Sequence, residues 1–332
     1  MSNLPHLESP LRYPGGKRRL APLLASVLEA NGLTGGWYVE PYAGGAGAAL
    51  YLLLRGHVRH IVINDADPMI HAFWQSVVHD CFRSSDPLAD PDRTAAWVVL
   101  SWPTAPGDPG HARIASAHFR GIAATPDGHS TLELGFAAFF LNRTSRSGIL
   151  TGGVIGGNSQ TGTYRVDSRY RNLDDLVARV QAIGKVREHI TVLGIDALDL
   201  LRDHVPGLPA NTLFYLDPPY YEKGSQLYRN HYQPAGHKAI ADFARHTDRH
   251  LLISYDDVPE IRDMYRGVSS SRFALRYSTH LARPLTNEVL FHTNVRLPEA
   301  PRPTKSAVLP STQFAFDFFH ATPYPPKQEI QQ

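Results

Sequence analysis

Short apolar runs that end in acidic or small residues recur along the chain, separated by longer stretches with helical spacing. Residues 37–40, 61–65, 190–193, 213–217 and 251–255 read as buried parallel strands, because a strand covered on both faces is continuously apolar rather than alternating. Residues 17–30, 46–55, 173–186 and 237–249 read as helices between them. Strands separated by helices predict βαβ units and an open, doubly wound α/β sheet. Ligands of such sheets bind beyond the carboxyl ends of the strands, which is where Glu40, Asp65 and Asp217 fall.

The alternation breaks between about residues 75 and 165. Loops are expected at 85–91 and 103–109, helices at 112–124 and 132–141, and a Gly-rich run occupies 148–162. This stretch predicts an inserted, mostly helical lobe, which divides the chain into a catalytic α/β domain (1–75 and 165–300) and an insert (76–164). From Pro298 onward proline recurs, at 301, 303, 310, 323, 325 and 326. Residues 301–332 therefore read as a poorly ordered Pro-rich tail, with Phe314, Phe316, Phe318 and Phe319 able to pin part of it to the body.

Composition narrows the class. With 332 residues, 42% hydrophobic and 19% charged, the chain can bury at least one sizeable core. No apolar run approaches the roughly 20 residues of a membrane-spanning helix, so no membrane partner is expected. The start Met1-Ser2-Asn3-Leu4-Pro5 lacks the apolar core of an export signal. The single cysteine, Cys81, rules out an internal disulfide and reads as a small buried side chain. These features together predict a cytoplasmic protein. The net charge of +2 says little, but its distribution says more. Arg12, Lys17, Arg18 and Arg19 occur together without an acid, and Arg143, Arg146, Arg165, Arg169 and Arg171 stand against Asp167 alone. Such local positive excess suits a surface that contacts phosphates.

The segment Val39-Glu40-Pro41-Tyr42-Ala43-Gly44-Gly45-Ala46-Gly47 is a strand running into a Gly-rich turn and then a helix. Glycines let backbone approach a ligand closely and expose amides at the helix start. Asp65, at the end of the next strand, is spaced to accept the hydroxyl protons of an adenosine ribose. This arrangement fits a nicotinamide cofactor and S-adenosylmethionine alike. The departure from the G-x-G-x-x-G spacing of dinucleotide sites favours the second.

Asp217-Pro218-Pro219-Tyr220 follows the apolar run Leu213-Phe214-Tyr215-Leu216. With proline near 5% of average composition, an acid or amide followed by Pro-Pro and an aromatic arises by chance in about one chain in a hundred of this length. Its chemistry suits a flat amine. The lone pair of adenine N6 is delocalised into the ring, so N6 is a poor nucleophile. An acceptor pair, the Asp217 carboxylate and the Pro218 carbonyl, could hold both N6 protons and free the lone pair toward a methyl donor. The prolines fix the backbone and remove competing N–H groups, and Tyr220 can stack on the base for roughly 1–3 kcal/mol.

The two motifs together resemble the amino-methyltransferase superfamily. With Leu11-Arg12-Tyr13-Pro14-Gly15-Gly16-Lys17 they resemble the Dam-type (D12 class, alpha-group) N6-adenine DNA methyltransferases. The resemblance covers roughly residues 10–70 and 185–295 and implies a Rossmann-like S-adenosylmethionine-dependent fold carrying an inserted target-recognition lobe. It implies that Tyr13 and Lys17 touch the donor, Lys17 through the donor's carboxylate, and that Asp65 holds the ribose. Asp196 would lie against the donor's adenine, and Asp217 would be the catalytic acid beside the donor. Glu40, Tyr42, Gly44 and Gly47 complete the expected donor site, and Asn287-Glu288-Val289-Leu290-Phe291 resembles a late strand of the family. Leu141-Asn142-Arg143-Thr144 resembles the family's Asn-Arg hinge, but Ser145-Arg146-Ser147-Gly148 replaces an aromatic-rich continuation. Base-reading positions therefore do not carry over, and Arg143, Arg146 and Arg165 are candidate DNA contacts on their charge alone.

The expected activity is site-specific methylation of adenine N6 in double-stranded DNA, with the target base flipped out of the helix. A separately encoded restriction endonuclease is one partner that this class admits. Rival readings are an RNA-adenine or protein-amide methyltransferase, a nicotinamide oxidoreductase, and a non-catalytic DNA-binding protein with a vestigial donor site. Although there are 17 histidines, no metal is expected, because His246 and His250 have no third ligand at a recognisable spacing.

Overall fold

The computed structural model describes residues 9–12, 17–79, 109–157, 159–161, 166, 172–221, 232–276 and 285–298. Tyr13, Cys81, Arg165 and the 301–332 tail lie outside the described residues. The chain divides into two compact units, Met1–Thr212 and Leu213–Gln332.

In the first unit three parallel strands pair in the order β3-β2-β1: β1 is Trp37–Glu40, β2 is His60–Asn64 and β3 is Ile190–Leu193. Tyr38, Val39, Ile61, Val62 and Ile63 are buried, as continuous apolar runs require. The expected first helix splits into a 3-10 turn, Lys17–Leu20, and α1, Ala21–Ala30. Helix α2, Gly47–Leu54, follows the Gly-rich turn.

Helix α3, Pro68–Val78, was not expected from the apolar pattern, and it runs across the 75/76 boundary drawn for the insert. Its signal was local: Asp67 caps the helix by accepting the Met69 N–H, and Pro68 fills the first position, where no N–H is needed. Helices α4, Pro109–Ala124, and α5, Thr131–Thr144, form the described helical part of the insert. Helix α5 opens on a capping box in which Ser130 and Glu133 satisfy each other's backbone amides. It packs on α3, with Phe139 stacked on Phe73 at 5.8 Å. Helix α6, Leu173–Lys185, also packs on α3.

Strand β4, Thr212–Leu216, belongs to the second unit from Leu213 onward and runs parallel to β5, His250–Asp256. An antiparallel pair that the apolar pattern did not reveal follows: β6, Ser269–Arg276, and β7, Leu285–Thr293, with β7 between β5 and β6. Helix α7, Pro234–His246, starts one turn before the expected helix and ends before it, because Pro234 is pre-set for a helix start. A short helix α8, Pro259–Met264, precedes Tyr265, whose ring stacks on Phe291 of β7 at 4.1 Å. Mostly parallel strands with helices between them make this a mixed α/β protein, consistent with a Rossmann-like methyltransferase fold. None of the described helices is long and apolar enough to cross a membrane.

Two helical glycines test the packing. A Cβ on Gly135 of α5 would lie 2.5 Å from Ser76 Oγ and 2.8 Å from the Ala72 carbonyl oxygen, both on α3. A Cβ on Gly121 of α4 would meet nothing within 4 Å. Gly121→Ala should therefore stabilise the protein by about 1 kcal/mol through helix propensity. Gly135→Leu should destabilise it by about 3 kcal/mol or more through overpacking. Urea midpoints at constant slope measure both, and a Gly135→Leu midpoint at the wild-type value would contradict the close crossing.

Candidate functional site

In the first unit, chemistry gathers at the carboxyl ends of β1, β2 and β3. The Gly-rich turn after β1 takes left-handed backbone at Gly44 (φ 48°) and Ala46 (φ 46°). Glycine adopts this freely, whereas a buried alanine stores roughly 1 kcal/mol or more of strain, which suits a turn held rigidly in place. The holding groups are visible. Gly44 N–H donates to Asp65 Oδ2 at 2.8 Å, and the Gly44 carbonyl accepts from the Trp74 indole at 2.9 Å. Asp65 Oδ1 accepts the Asp67 N–H at 2.9 Å. Each Asp65 oxygen can still accept a further proton, as a ribose diol would require. Burial pushes the Asp65 pKa up to about 7, although both amide hydrogen bonds pull it down.

Asn64 was missed as a site residue. Its side-chain amide donates to the Pro41 carbonyl at 2.8 Å and to the Ile195 carbonyl at 2.9 Å, and its Oδ1 accepts the Ile195 N–H at 3.0 Å. One buried amide thus ties together the loops that follow all three strands. The available signal was an amide at the end of an otherwise apolar run. Asp196 begins the next turn, Ala197–Asp199, by accepting the Leu198 N–H at 2.8 Å. Glu40 is buried, with Oε1 accepting the Tyr38 hydroxyl at 2.9 Å. Tyr42 is half-buried within the turn. A Cβ on Gly47 would sit 3.3 Å from Arg18 Cβ, a tight approach that a small shift could relieve. Lys17 is the first residue of the 3-10 turn that contains Arg18.

The insert bears on this unit through Asn142, a fully buried residue of α5. Asn142 Oδ1 accepts the Arg12 N–H at 2.7 Å, and Nδ2 donates to the carbonyls of Arg12 at 2.6 Å and Gly148 at 3.0 Å. A Cβ on Gly148 would fall 2.0 Å from the Arg12 carbonyl oxygen. Arg143 is half-buried in the last turn of α5, and Arg146 is exposed at the start of the 3-10 turn Arg146–Gly148.

In the second unit, Asp217 is the first residue beyond β4, a strand buried along its whole length. Ser254 of β5 donates its hydroxyl to Asp217 Oδ1 at 2.7 Å and lies 2.8 Å from the Tyr215 hydroxyl. Pro218 and Pro219 are buried, and the half-buried Tyr220 donates its hydroxyl to Glu288 Oε1 at 2.6 Å. Asp256, paired with Glu288 across β5 and β7, accepts the Tyr221 N–H at 3.0 Å. The loop is therefore anchored at three points by two neighbouring strands. Ser254 and Glu288 have no local pattern that marks them for this; Glu288 was noticed only within a strand-like resemblance. His246 and His250, weighed as metal ligands, each face a backbone carbonyl, of Asp242 and Asn294.

The raised Asp65 pKa has a definite sign. Between its ordinary 3.8 and about 7 the folded protein holds a proton that the unfolded chain releases. Asp65 therefore stabilises the fold less as pH rises through that window, and its contribution levels off above about 7. His60, His71, His237 and His292, whose pKa values burial lowers, run the opposite way. The informative quantity is thus the difference in thermal midpoint between wild type and Asp65→Asn. It should shift against the wild type from about pH 5 to about pH 7 and flatten beyond, and a difference independent of pH would exclude a raised Asp65.

Residues 13–97, 85 of the 332, match the model of the family described as D12 class N6 adenine-specific DNA methyltransferase. Among curated proteins no match is found. The match covers about a quarter of the chain, and over that segment the chain is similar to this family.

Proposed function

We propose that the protein is a Dam-type enzyme that methylates adenine N6 within a specific double-stranded DNA sequence. The base is flipped out, and the methyl group of S-adenosylmethionine passes to it by direct displacement. The observation that carries this reading is the anchored Asp217-Pro218-Pro219-Tyr220 loop: an acid at the end of a buried strand, followed by two buried prolines and an aromatic. On this reading Asp217 and the Pro218 carbonyl accept the two N6 protons, and Tyr220, held by Glu288, stacks on the base face. Holding the amine in line converts an encounter into an intramolecular step, where much of the acceleration arises. Asp217 need not be a strong base beforehand, because N6 becomes acidic only as its bond to carbon forms.

S-adenosylmethionine supplies, when bound, a methyl group on a positively charged sulfur. The strand ends of the first unit fit it: Asp65 for the ribose hydroxyls, the rigid turn with Tyr42 and Gly44, the start of α2 at Gly47, and Glu40 and Asp196 on either side. Tyr13, Lys17 and Asp217 complete the proposed donor contacts. Residues 1–75 and 165–300 form the proposed catalytic domain and 76–164 the target-recognition insert, with Arg143, Arg146 and Arg165 on DNA. A separately encoded restriction endonuclease fits such an enzyme as a partner that methylation would block.

With tritiated donor, the wild type should label duplex DNA and leave RNA of the same sequence unlabelled. Asp217→Ala should lose at least about 100-fold in transfer while keeping the wild-type circular dichroism spectrum. Retained labelling of duplex by that variant would sink the assignment.

A further inference from the structure

We infer that Ser254 is a positioning residue for Asp217, the inner member of a hydroxyl relay that begins at Tyr215 and fixes how the carboxylate is presented. The inference rests on the reading of Asp217 as the acid that holds the target amine.

Counting protons sets the direction of the relay. An ionised carboxylate only accepts, and a serine hydroxyl has a single proton. Since Ser254 gives that proton to Asp217 Oδ1 at 2.7 Å, the contact of 2.8 Å between Ser254 and Tyr215 requires the phenol to donate to Ser254 Oγ. Tyr215 and Asp217 lie two residues apart, so they project from the same side of the chain, and Ser254 sits on the neighbouring parallel strand. Tyr215 is 2% exposed and Ser254 0%. Water therefore cannot easily replace either hydroxyl, and both are obliged to find protein partners.

The consequence concerns geometry. A carboxylate at the end of a strand turns readily about its Cβ–Cγ bond unless one oxygen is tied. A charge-assisted bond from a serine that is itself polarised by a phenol ties Oδ1 cooperatively. The amine is then met by the other oxygen, in a plane set by the sheet rather than by the loop. Glu288 and Asp256 hold the rest of the loop through Tyr220 and the Tyr221 amide, whereas the relay meets the acid itself.

Single-turnover methylation of duplex DNA by the full chain tests this. Ser254→Ala should slow the methyl-transfer step about 10- to 100-fold, with the dissociation constant for duplex within about twofold of wild type. Tyr215→Phe, which keeps the shape of the ring, should slow it about fivefold. The double variant should be no slower than Ser254→Ala alone, because the phenol works only through the serine. A wild-type rate in Ser254→Ala, or losses that multiply in the double variant, would overturn the relay. Should Ser254→Ala not fold, Tyr215→Phe decides alone, and a wild-type rate there overturns the relay. A wild type that methylates no duplex would instead bring down the reading of Asp217 itself.

Discussion

A polar side chain at the end of a buried parallel strand is wholly or partly withdrawn from water and meets most of its hydrogen bonds inside the protein. Here those obligations are met by the loops that carry the chemistry. Asp65 is satisfied by the amides of Gly44 and Asp67, Asn64 by Pro41 and Ile195, and Asp217 by Ser254. The same bonds that make these groups tolerable hold the turns in shape. A loop fixed by a buried partner presents its atoms in one arrangement, and preorganisation of that kind is what a transfer reaction needs. Stability and placement of the site are thus one requirement, imposed by burial.

What the sequence revealed divides along this line. Strand ends, the Gly-rich turn and the Asp-Pro-Pro-Tyr segment are local patterns, and Asp65 and Asp217 fall immediately beyond β2 and β4 as expected. The partners that satisfy them are distant in the chain: Ser254 lies 37 residues from Asp217, and Glu288 lies 68 from Tyr220. No spacing rule reaches that far. Strand β6 escaped notice because it opens Ser269-Ser270-Ser271-Arg272, a polar run with none of the continuous apolar character of the parallel strands. Helix α3 carries its signal in the Asp67-Pro68 start and not in an apolar period, because residues on nearly every face of it are buried.

The glycines carry a similar lesson. Within the turn after β1, the sequence pattern suggests that glycine at 44 and 47 leaves room for a ligand. Gly44 does adopt the left-handed backbone that such a turn needs, yet both of its peptide groups are engaged with protein, through Asp65 and Trp74. Gly47 makes room for Arg18. Close packing of the Lys17–Leu20 turn against the start of α2 thus favours a small residue there as well. The proposed donor meets a turn whose rear face is already locked.

At Asp65, meeting the hydrogen-bond obligations does not cancel the cost of burial. Its two amide bonds favour the ionised form, yet burial outweighs them and pushes the pKa to about 7. Two backbone amides alone would hold the aspartate ionised well below neutrality. The cost of desolvation is instead borne close to the surface that the strand ends present. A diol bound there would supply two more hydrogen bonds to the ionised oxygens and favour the charged form. The proposed ligand and the carboxylate charge are therefore linked: whatever raises the pKa in the free protein is offset, in part, by the ligand that the site is proposed to take.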